Sequence, residues 1–211
     1  MTVFDIVFLV GCLATIGTVF RIAYLQLRGR RDECGTPMRR WAVCAGLYVL
    51  VLLATSAIEP QKVVAMGQPR CFDEWCVAVD ASSRQDVIGS AHARGTYVIV
   101  RARILNHGRG RRQRERDVYA LLRDDQGNQY RQSAEGQSAL TRLTGNSSQL
   151  TDPIEAGASM SVSLVFDVAK QPQSLQFIVA HAWFPHALII GDSESLFHRP
   201  TVVLLANRDA Q

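Results

Sequence analysis

Two cysteines in the stretch CFDEWC are the first residues whose spacing could do chemistry. Four residues separate Cys71 from Cys76. Two thiols this close can form a structural disulfide or exchange with other thiols. Exchange sites usually separate their cysteines by two residues at a helix N-terminus, whereas a strand-like run follows here. The pattern therefore favours a structural Cys71–Cys76 bridge, with a thiol–disulfide redox site as the alternative.

The loop 108–116, GRGRRQRER, is the second such stretch, and we call it the arginine loop. Guanidinium groups bind phosphate and carboxylate well. The loop is therefore a possible site for anionic lipid headgroups, polysaccharide or an acidic protein; the alternative is a solvated loop tip. No aromatic side chains are interleaved for stacking on bases, so nucleic acid is not an expected partner. The five arginines are Arg109, Arg111, Arg112, Arg114 and Arg116.

Residues that could support catalysis or bind a metal do not form a recognisable set. In GDSESLFHRP, Asp192, Ser193, Ser195 and His198 lie close in sequence, but triads are usually assembled from distant segments. GxSxG, HExxH and phosphate-loop motifs are absent from the sequence. The histidines lack the spacing of a zinc site. We expect no enzymatic activity, no metal and no cofactor. The five histidines are His92, His107, His181, His186 and His198.

Two apolar stretches at the N-terminal end indicate how the chain is placed. Trp41–Ile58 is eighteen residues without a charge, and Val3–Leu27 is apolar apart from Asp5 and Arg21. Both are long enough to cross a bilayer as helices. A cleaved signal peptide is the alternative for the first, but its positive charge follows the apolar run instead of preceding it. The prediction is a transmembrane hairpin over 1–58, with helices over about 3–27 and 41–58.

The loop 28–40 between these stretches predicts the orientation. Short loops rich in arginine stay in the cytoplasm, so both ends of the chain are expected outside. Arginine outnumbers lysine 21 to 2, which we interpret as the codon bias of a GC-rich bacterium. The predicted location is the bacterial inner membrane, crossed twice, with the C-terminal domain in the periplasm or extracytoplasmic space. The arginines of this loop are Arg28, Arg30, Arg31, Arg39 and Arg40.

The remaining chain reads as one β domain over 71–211, preceded by a juxtamembrane linker over 59–70. The formal charge of +4 belongs mostly to the hairpin and does not indicate a nucleic-acid partner. Alternation is clearest where Val98, Val100, Ala102 and Ile104 fall on one face of a strand. About seven such strands without a convincing helix predict an antiparallel sandwich. The expected strands are 75–80, 96–107, 117–124 with a short partner, 159–169, 174–181 and 201–207, with 138–145 uncertain.

Four segments within 95–182 occur in a familiar order. They are YVIVRARILNHGRG, LLRDDQGNQY, DPIEAGASMSVSLVFDV and SLQFIVAH. Together they resemble bacterial extracytoplasmic immunoglobulin-like domains of unknown function that are related to secreted mycobacterial immunoprotective antigens. The resemblance implies an immunoglobulin-like sandwich outside the cytoplasm. The family has no agreed activity, so no functional residue can be transferred.

The sequence therefore predicts a membrane-anchored, non-catalytic β-sandwich that binds a protein or an envelope component. A redox module using Cys71 and Cys76 is one alternative. An accessory subunit of a larger membrane complex is the other, because Gly11, Gly17 and Gly46 would permit close helix packing. Trp183 and Phe184 could form an exposed anchor for a partner or could fill the core. No motif in the sequence identifies the ligand or the oligomeric state.

Overall fold

Two long apolar helices form the N-terminal part of the protein. The computed structural model describes residues 3–169, 174–181, 186–190 and 195–205. Helix α1 spans Val3–Leu27, a 3₁₀ turn spans Arg31–Cys34, and α2 spans Gly35–Ile58, so α2 begins earlier than predicted. Both helices are long and apolar enough to cross a membrane, and almost none of their apolar surface is buried. Helical hydrogen bonds satisfy their backbone, while leucine, valine and isoleucine side chains cover their outer surfaces.

Within the described residues, nine strands in two sheets form the second part of the protein. The first sheet has the order β1-β9-β8-β5-β6 and the second the order β2-β3-β4-β7. Apolar residues of both sheets share one buried core, so the predicted sandwich is confirmed. The strands are β1 Val63–Val64, β2 Pro69–Phe72, β3 Trp75–Ile88, β4 Ala91–Asn106, β5 Val118–Asp124, β6 Gln129–Arg131, β7 Ser159–Val168, β8 Leu175–His181 and β9 Val202–Leu205.

Side-chain alternation positions this core as the sequence predicted. In β4, Val98, Val100, Ala102 and Ile104 are all at most 1% exposed, whereas Arg101 faces solvent. Successive side chains of a strand point to opposite faces, so one face of β4 can be fully apolar. The same pattern in β7 buries the predicted inward residues of that strand, which are Val162, Leu164 and Phe166.

The first sheet differs from the prediction in two ways. It is not wholly antiparallel, because β1 runs parallel to β9, with Val63 opposite Val202. The predicted linker over 59–70 is also too long, because it contains β1 and the start of β2. Only residues 59–62 separate α2 from the first strand. A two-residue strand has too little periodicity to be seen in a sequence.

A third helix corrects the expectation of a sandwich without a convincing helix. Helix α3 spans Ala134–Thr144, in place of the uncertain strand over 138–145. The Ser133 side chain accepts a hydrogen bond from the Gly136 backbone N–H, which caps the N-terminus. Gly145 adopts φ +69° and closes the C-terminus. Ala139 is buried in a small cluster with Tyr97 and Val165, so α3 packs against the second sheet.

Strand directions define two ends of the sandwich. We call the end at which β1 begins the linker end. Since β9 is parallel to β1, and β8 and β5 alternate in direction, β8 finishes and β5 starts at this end. The turn of the β2–β3 hairpin at Asp73–Glu74 lies at the same end. His107 follows β4 on the way to the start of β5, and it donates its backbone N–H to the Glu74 carbonyl at 2.8 Å. The linker end thus holds CFDEWC and the arginine loop together.

The β5–β6 turn at the opposite end depends on one carboxylate. Burial raises the pKa of Asp124, but hydrogen bonds from Asn128, Tyr130 and two backbone N–H groups outweigh it and hold the pKa below its ordinary value. A lowered folded-state pKa adds stability above the unfolded value of about 3.9, and this is lost as pH falls through the folded value. We expect Asp124→Asn to lower the urea midpoint at pH 7 and to flatten its dependence on pH below about pH 4. An unchanged acid slope in urea titrations from pH 6 to pH 2 would contradict this.

Candidate functional site

Asn106 fixes the path of the arginine loop. The residue is fully buried at the end of β4, and its Nδ2 donates to the carbonyls of Arg111 at 2.8 Å and Ile154 at 3.0 Å. Its Oδ1 accepts the backbone N–H of Gly108 at 2.8 Å. Gln113 and Ile154 exchange two backbone hydrogen bonds of 2.9 Å. The loop is therefore fastened at its start and middle, and the side chains between these points are directed outward.

All five predicted arginines are exposed. Arg112 pairs with Glu155 at 3.3 Å, and Arg114 Nε donates to the Thr151 carbonyl at 3.0 Å. The guanidinium groups of Arg109, Arg111 and Arg116 have no hydrogen bond or ion pair among the described residues. Exposed pairs such as Arg112–Glu155 contribute at most about 1 kcal/mol, so this guanidinium can also change partner at little cost. The loop presents several cationic groups that could receive an anionic ligand.

The predicted disulfide is present at the same end. Cys71 and Cys76 lie directly opposite each other in the β2–β3 hairpin and are bridged. His107 Nδ1 lies 3.5 Å from Cys76 Sγ, a neighbour that the sequence did not indicate. The two sulfurs and a His107 nitrogen lie within 4.8 Å of one another, close enough to ligate one metal ion. Because the sulfurs are bonded to each other, the bridge would have to be reduced before both thiolates could bind.

A cationic stack beside the disulfide was also missed by sequence reasoning. Arg70 lies over the Phe72 ring at 4.3 Å from its centroid and donates to the carbonyls of Val179 and Thr201. The Phe72 ring also contacts the His181 ring, with the two centroids 4.5 Å apart. His181 Nε2 lies 3.4 Å from the Glu115 carboxylate. Arg70 thus joins β2 to the neighbouring sheet. Single residues on separate strands give no sequence signal for such a contact.

Of the serine–histidine candidates near the C-terminus, the structure describes Ser195 and His198, and no hydrogen bond joins these two side chains. Ser195 Oγ is buried and lies 3.0 Å from Ser56 Oγ of α2, and His198 Nδ1 lies 3.8 Å from Glu59. Tyr48 of α2 donates to the Leu188 carbonyl at 2.6 Å. The described part of 186–199 therefore contacts α2 and the residue after it through polar groups. Asp192, Ser193, Trp183 and Phe184 lie outside the described residues.

One groove on the sandwich has no counterpart in the sequence analysis. It lies between α3 and the β5 edge and has a volume of about 910 Å³. Arg131, Gln137 and Arg142 line it together with Tyr119 and Leu150. The groove exists because α3 and the chain that follows it cover part of the sheet. Since the sequence did not predict α3, it could not predict this groove.

Comparisons with known proteins bear on the fold. No protein-family model and no curated protein matches the chain. The chain is similar to uncharacterised β-sandwich proteins. A conserved hypothetical protein of Bacillus anthracis is 16% identical with a TM-score of 0.46, over 55% of this chain and 88% of that chain. An uncharacterised β-sandwich protein of Clostridium difficile is 11% identical with a TM-score of 0.44, over 70% and 96%.

A secreted protein provides a third comparison. MPT63 of Mycobacterium tuberculosis is 15% identical with a TM-score of 0.43, over 69% of this chain and 97% of that chain. Similarity at this level assigns neither a family nor an activity to the chain. The membership of an immunoglobulin-like family stays a prediction.

Removing the disulfide is expected to cost stability without changing the fold. A bridge between residues five apart closes a short loop, for which chain entropy predicts about 2 kcal/mol. We expect the double variant Cys71→Ser, Cys76→Ser to lower the free energy of unfolding by about 2–3 kcal/mol. Urea denaturation of the full chain in detergent measures it, followed by circular dichroism of the sheets. A Cys34→Ser control, outside the sandwich, should leave this transition unchanged.

Proposed function

We propose that the protein is a membrane-anchored, non-catalytic β-sandwich module that binds a protein or envelope component outside the cytoplasm. The observation that carries the proposal is the exposure of two helices built almost entirely of apolar residues, joined to a folded sandwich. A core helix of a soluble protein would bury this surface, whereas the 18-residue windows of α1 and α2 are 0% and 11% buried. Apolar surface of this extent is stable only against lipid or another apolar partner.

Two independent features support the orientation. The arginine-rich residues 28–40 between the helices favour a cytoplasmic location for this connection. The Cys71–Cys76 bridge favours an oxidising compartment for the sandwich. Both features support the proposal that the C-terminal domain lies on the outer side of a bacterial inner membrane. A signal sequence is the competing interpretation of α1 alone. With α2 still spanning, it would place residues 28–40 outside and the sandwich inside, which is opposite to the orientation that the two features favour.

The finer fold assignment belongs to the same proposal. Two packed sheets with a shared apolar core are the architecture expected of an immunoglobulin-like domain. The parallel β1–β9 pair and helix α3 are additions to the predicted all-β pattern. Domains of this architecture commonly bind partners through the loops at one end of the sandwich. The linker end, with the arginine loop, is the end whose loops carry charge suited to a ligand.

Reporter fusions and protease protection test the placement. A phosphatase that works only outside the cytoplasm should be active when fused after Gln211. A reporter that works only in the cytoplasm should be inactive when fused at the same position. A tag inserted in 29–38 should resist protease added to the outside of spheroplasts. Photo-crosslinking from position 110 in native membranes then identifies what the linker end contacts. A reporter at residue 211 that is active only inside would overturn the proposal.

A thiol–disulfide redox module is the second candidate, favoured by the proximity of His107 to Cys76. A neighbouring imidazolium stabilises a thiolate and would make the cysteine a better attacking or leaving group. A catalytic bridge should be reduced by a mild glutathione buffer while the sandwich stays folded. Counting free thiols under native and denaturing conditions distinguishes the two roles. Resistance of the bridge until denaturation eliminates the redox module.

A further inference from the structure

We propose that the arginine loop binds the anionic phospholipid headgroups of the membrane that holds the helical hairpin. The inference rests on the proposed function, since it requires α1 and α2 to span that membrane. It names the ligand of the linker end, which the proposed function leaves open. The argument depends on chain connectivity and on strand register within the sandwich.

The covalent connection between α2 and the sandwich is short. Residues 59–62 separate Ile58, at the end of α2, from Val63, at the start of β1. The five Cα–Cα steps from Ile58 to Val63 reach at most about 18 Å. Glu59 already ends the helix with an extended backbone at ψ 123°. The first residue of β1 is therefore held within about 18 Å of the point where the apolar helix ends.

Strand register carries the arginine loop back toward that point. Val63 of β1 pairs with Val202 of β9, and Val202 lies level with Ile178 of β8. Ile178 pairs with Leu121 of β5, so Leu121 lies at the same height along the strands as Val63. Strand β5 starts at Val118, three residues closer to the linker end. At about 3.3 Å per residue, the base of the loop lies about 10 Å beyond the level of Val63, on the side from which the linker arrives. Connectivity thus keeps the base of the loop within roughly 35 Å of the end of α2. The proposal requires the arginines to come within a Debye length of about 8 Å of the headgroups.

The charge on this loop matches a phosphate surface. The loop carries five arginines against Glu115, and Glu115 lies beside His181. Three of the guanidinium groups have no partner among the described residues, so binding them to phosphate breaks no existing pair. Arginine forks bind phosphate oxygens in bidentate geometry. Basic residues next to a membrane gain from its negative surface potential within this distance.

An acidic protein would match the same charge but not the same position. A site for a soluble acidic protein would be more accessible at the end of the sandwich opposite the linker end, where lipid would not compete for the arginines. The loop instead lies at the end of the sandwich at which the chain arrives from the hairpin. Its arginines are presented outward by the Asn106 hydrogen bonds, which leaves them available to a surface. Lipid is therefore the occupant that the topology favours.

The test measures lipid selectivity of the full-length protein in bilayers. The protein is reconstituted in phosphatidylcholine membranes that contain a trace of spin-labelled phosphatidylglycerol or spin-labelled phosphatidylcholine. Electron paramagnetic resonance measures the motionally restricted fraction of each labelled lipid, and the ratio of the two fractions gives the preference for phosphatidylglycerol. We expect Arg109→Ser, Arg111→Ser, Arg116→Ser to lower the preference for phosphatidylglycerol about threefold at low salt. In 1 M salt, wild type and variant should become similar because charges on the surface are screened.

A matched variant controls for total charge. Arg94→Ser, Arg101→Ser, Arg142→Ser removes the same charge from exposed positions outside the loop and should keep the wild-type preference. The arginines of 28–40 also attract anionic lipid, but they are unchanged in every variant. Any difference between the two triple variants therefore reports the position of the arginine loop.

The possible outcomes separate the inference from the proposed function. Absence of any restricted lipid means that the helices do not span the bilayer, so the proposed function fails as well. Restricted lipid with equal selectivity in wild type and loop variant overturns the inference alone. Equal selectivity together with loss of a protein crosslink from the loop variant would assign the loop to an acidic protein instead. Loss of selectivity only in the loop variant supports lipid binding.

Discussion

Neutralising the five arginines of residues 28–40 should scramble the orientation of the protein. Positive charge in short loops holds them in the cytoplasm, and this segment holds five of the seven basic residues in 1–62. A phosphatase fused after Gln211 should then report a mixed population in place of a uniformly external one. The substitutions are Arg28, Arg30, Arg31, Arg39 and Arg40, each to Gln.

The arginine loop supplies the control for this experiment. It contains the same number of arginines but lies inside the sandwich, far along the chain from both apolar helices. Changing its five arginines to Gln should leave the reporter uniformly external, because charges distant from spans contribute little to orientation. If both variants behaved like wild type, charge would not set the topology and the assignment of inside and outside would have to be abandoned.

Asn106→Ala should be among the most destabilising single substitutions in the sandwich, lowering the free energy of unfolding by about 3 kcal/mol. The change removes two donated hydrogen bonds and one accepted one, all from a fully buried side chain. It leaves the carbonyls of Arg111 and Ile154 without these donors. Urea denaturation of the full chain in detergent measures the loss.

The same variant should also free the arginine loop. Hydrogen exchange at residues 107–113 should accelerate in the folded state, because the anchor of the loop is gone while the sheets persist. Asn146→Ala is the matched control, since Asn146 is exposed and its side chain accepts one hydrogen bond, from Ser148. A cost below 1 kcal/mol for Asn106→Ala would show that the loop is held by other contacts.

The sequence predicted correctly the strands in which apolar and polar residues alternate over many positions. Alternation over β4 and β7 identified the buried face correctly, because a single register satisfies five or more successive positions. The Cys71–Cys76 bridge followed from compartment and spacing, which are both local facts. The arginine loop was recognised from composition, and the strands that flank it follow the same alternation. These features need no knowledge of which strand pairs with which.

Features that depend on distant pairing could not be predicted. Strand β1 is two residues long and exists only because Val202 and Val203 pair with it. Helix α3 carries Gly136 and few apolar residues, so its pattern was weak, although Ser133 and Gly145 were available as caps. Asn106 reads as an ordinary turn residue until Ile154 is known to lie beside it. The proximity of His107 to Cys76 likewise requires the β3–β4 register.

The pairing of β1 with β9 has a consequence for biogenesis. Residues 63–64 are synthesised early, yet their strand partner at 202–205 is translated after all other strands of the described residues. Until then β1 lacks its partner and the β8 edge that β9 later covers has open hydrogen-bonding groups, a template for wrong pairing. The first sheet therefore closes only after the C-terminal strand has been synthesised. A chain shortened before residue 202 should be degraded by proteases faster than the full chain, even though its N-terminal helices and its disulfide are intact.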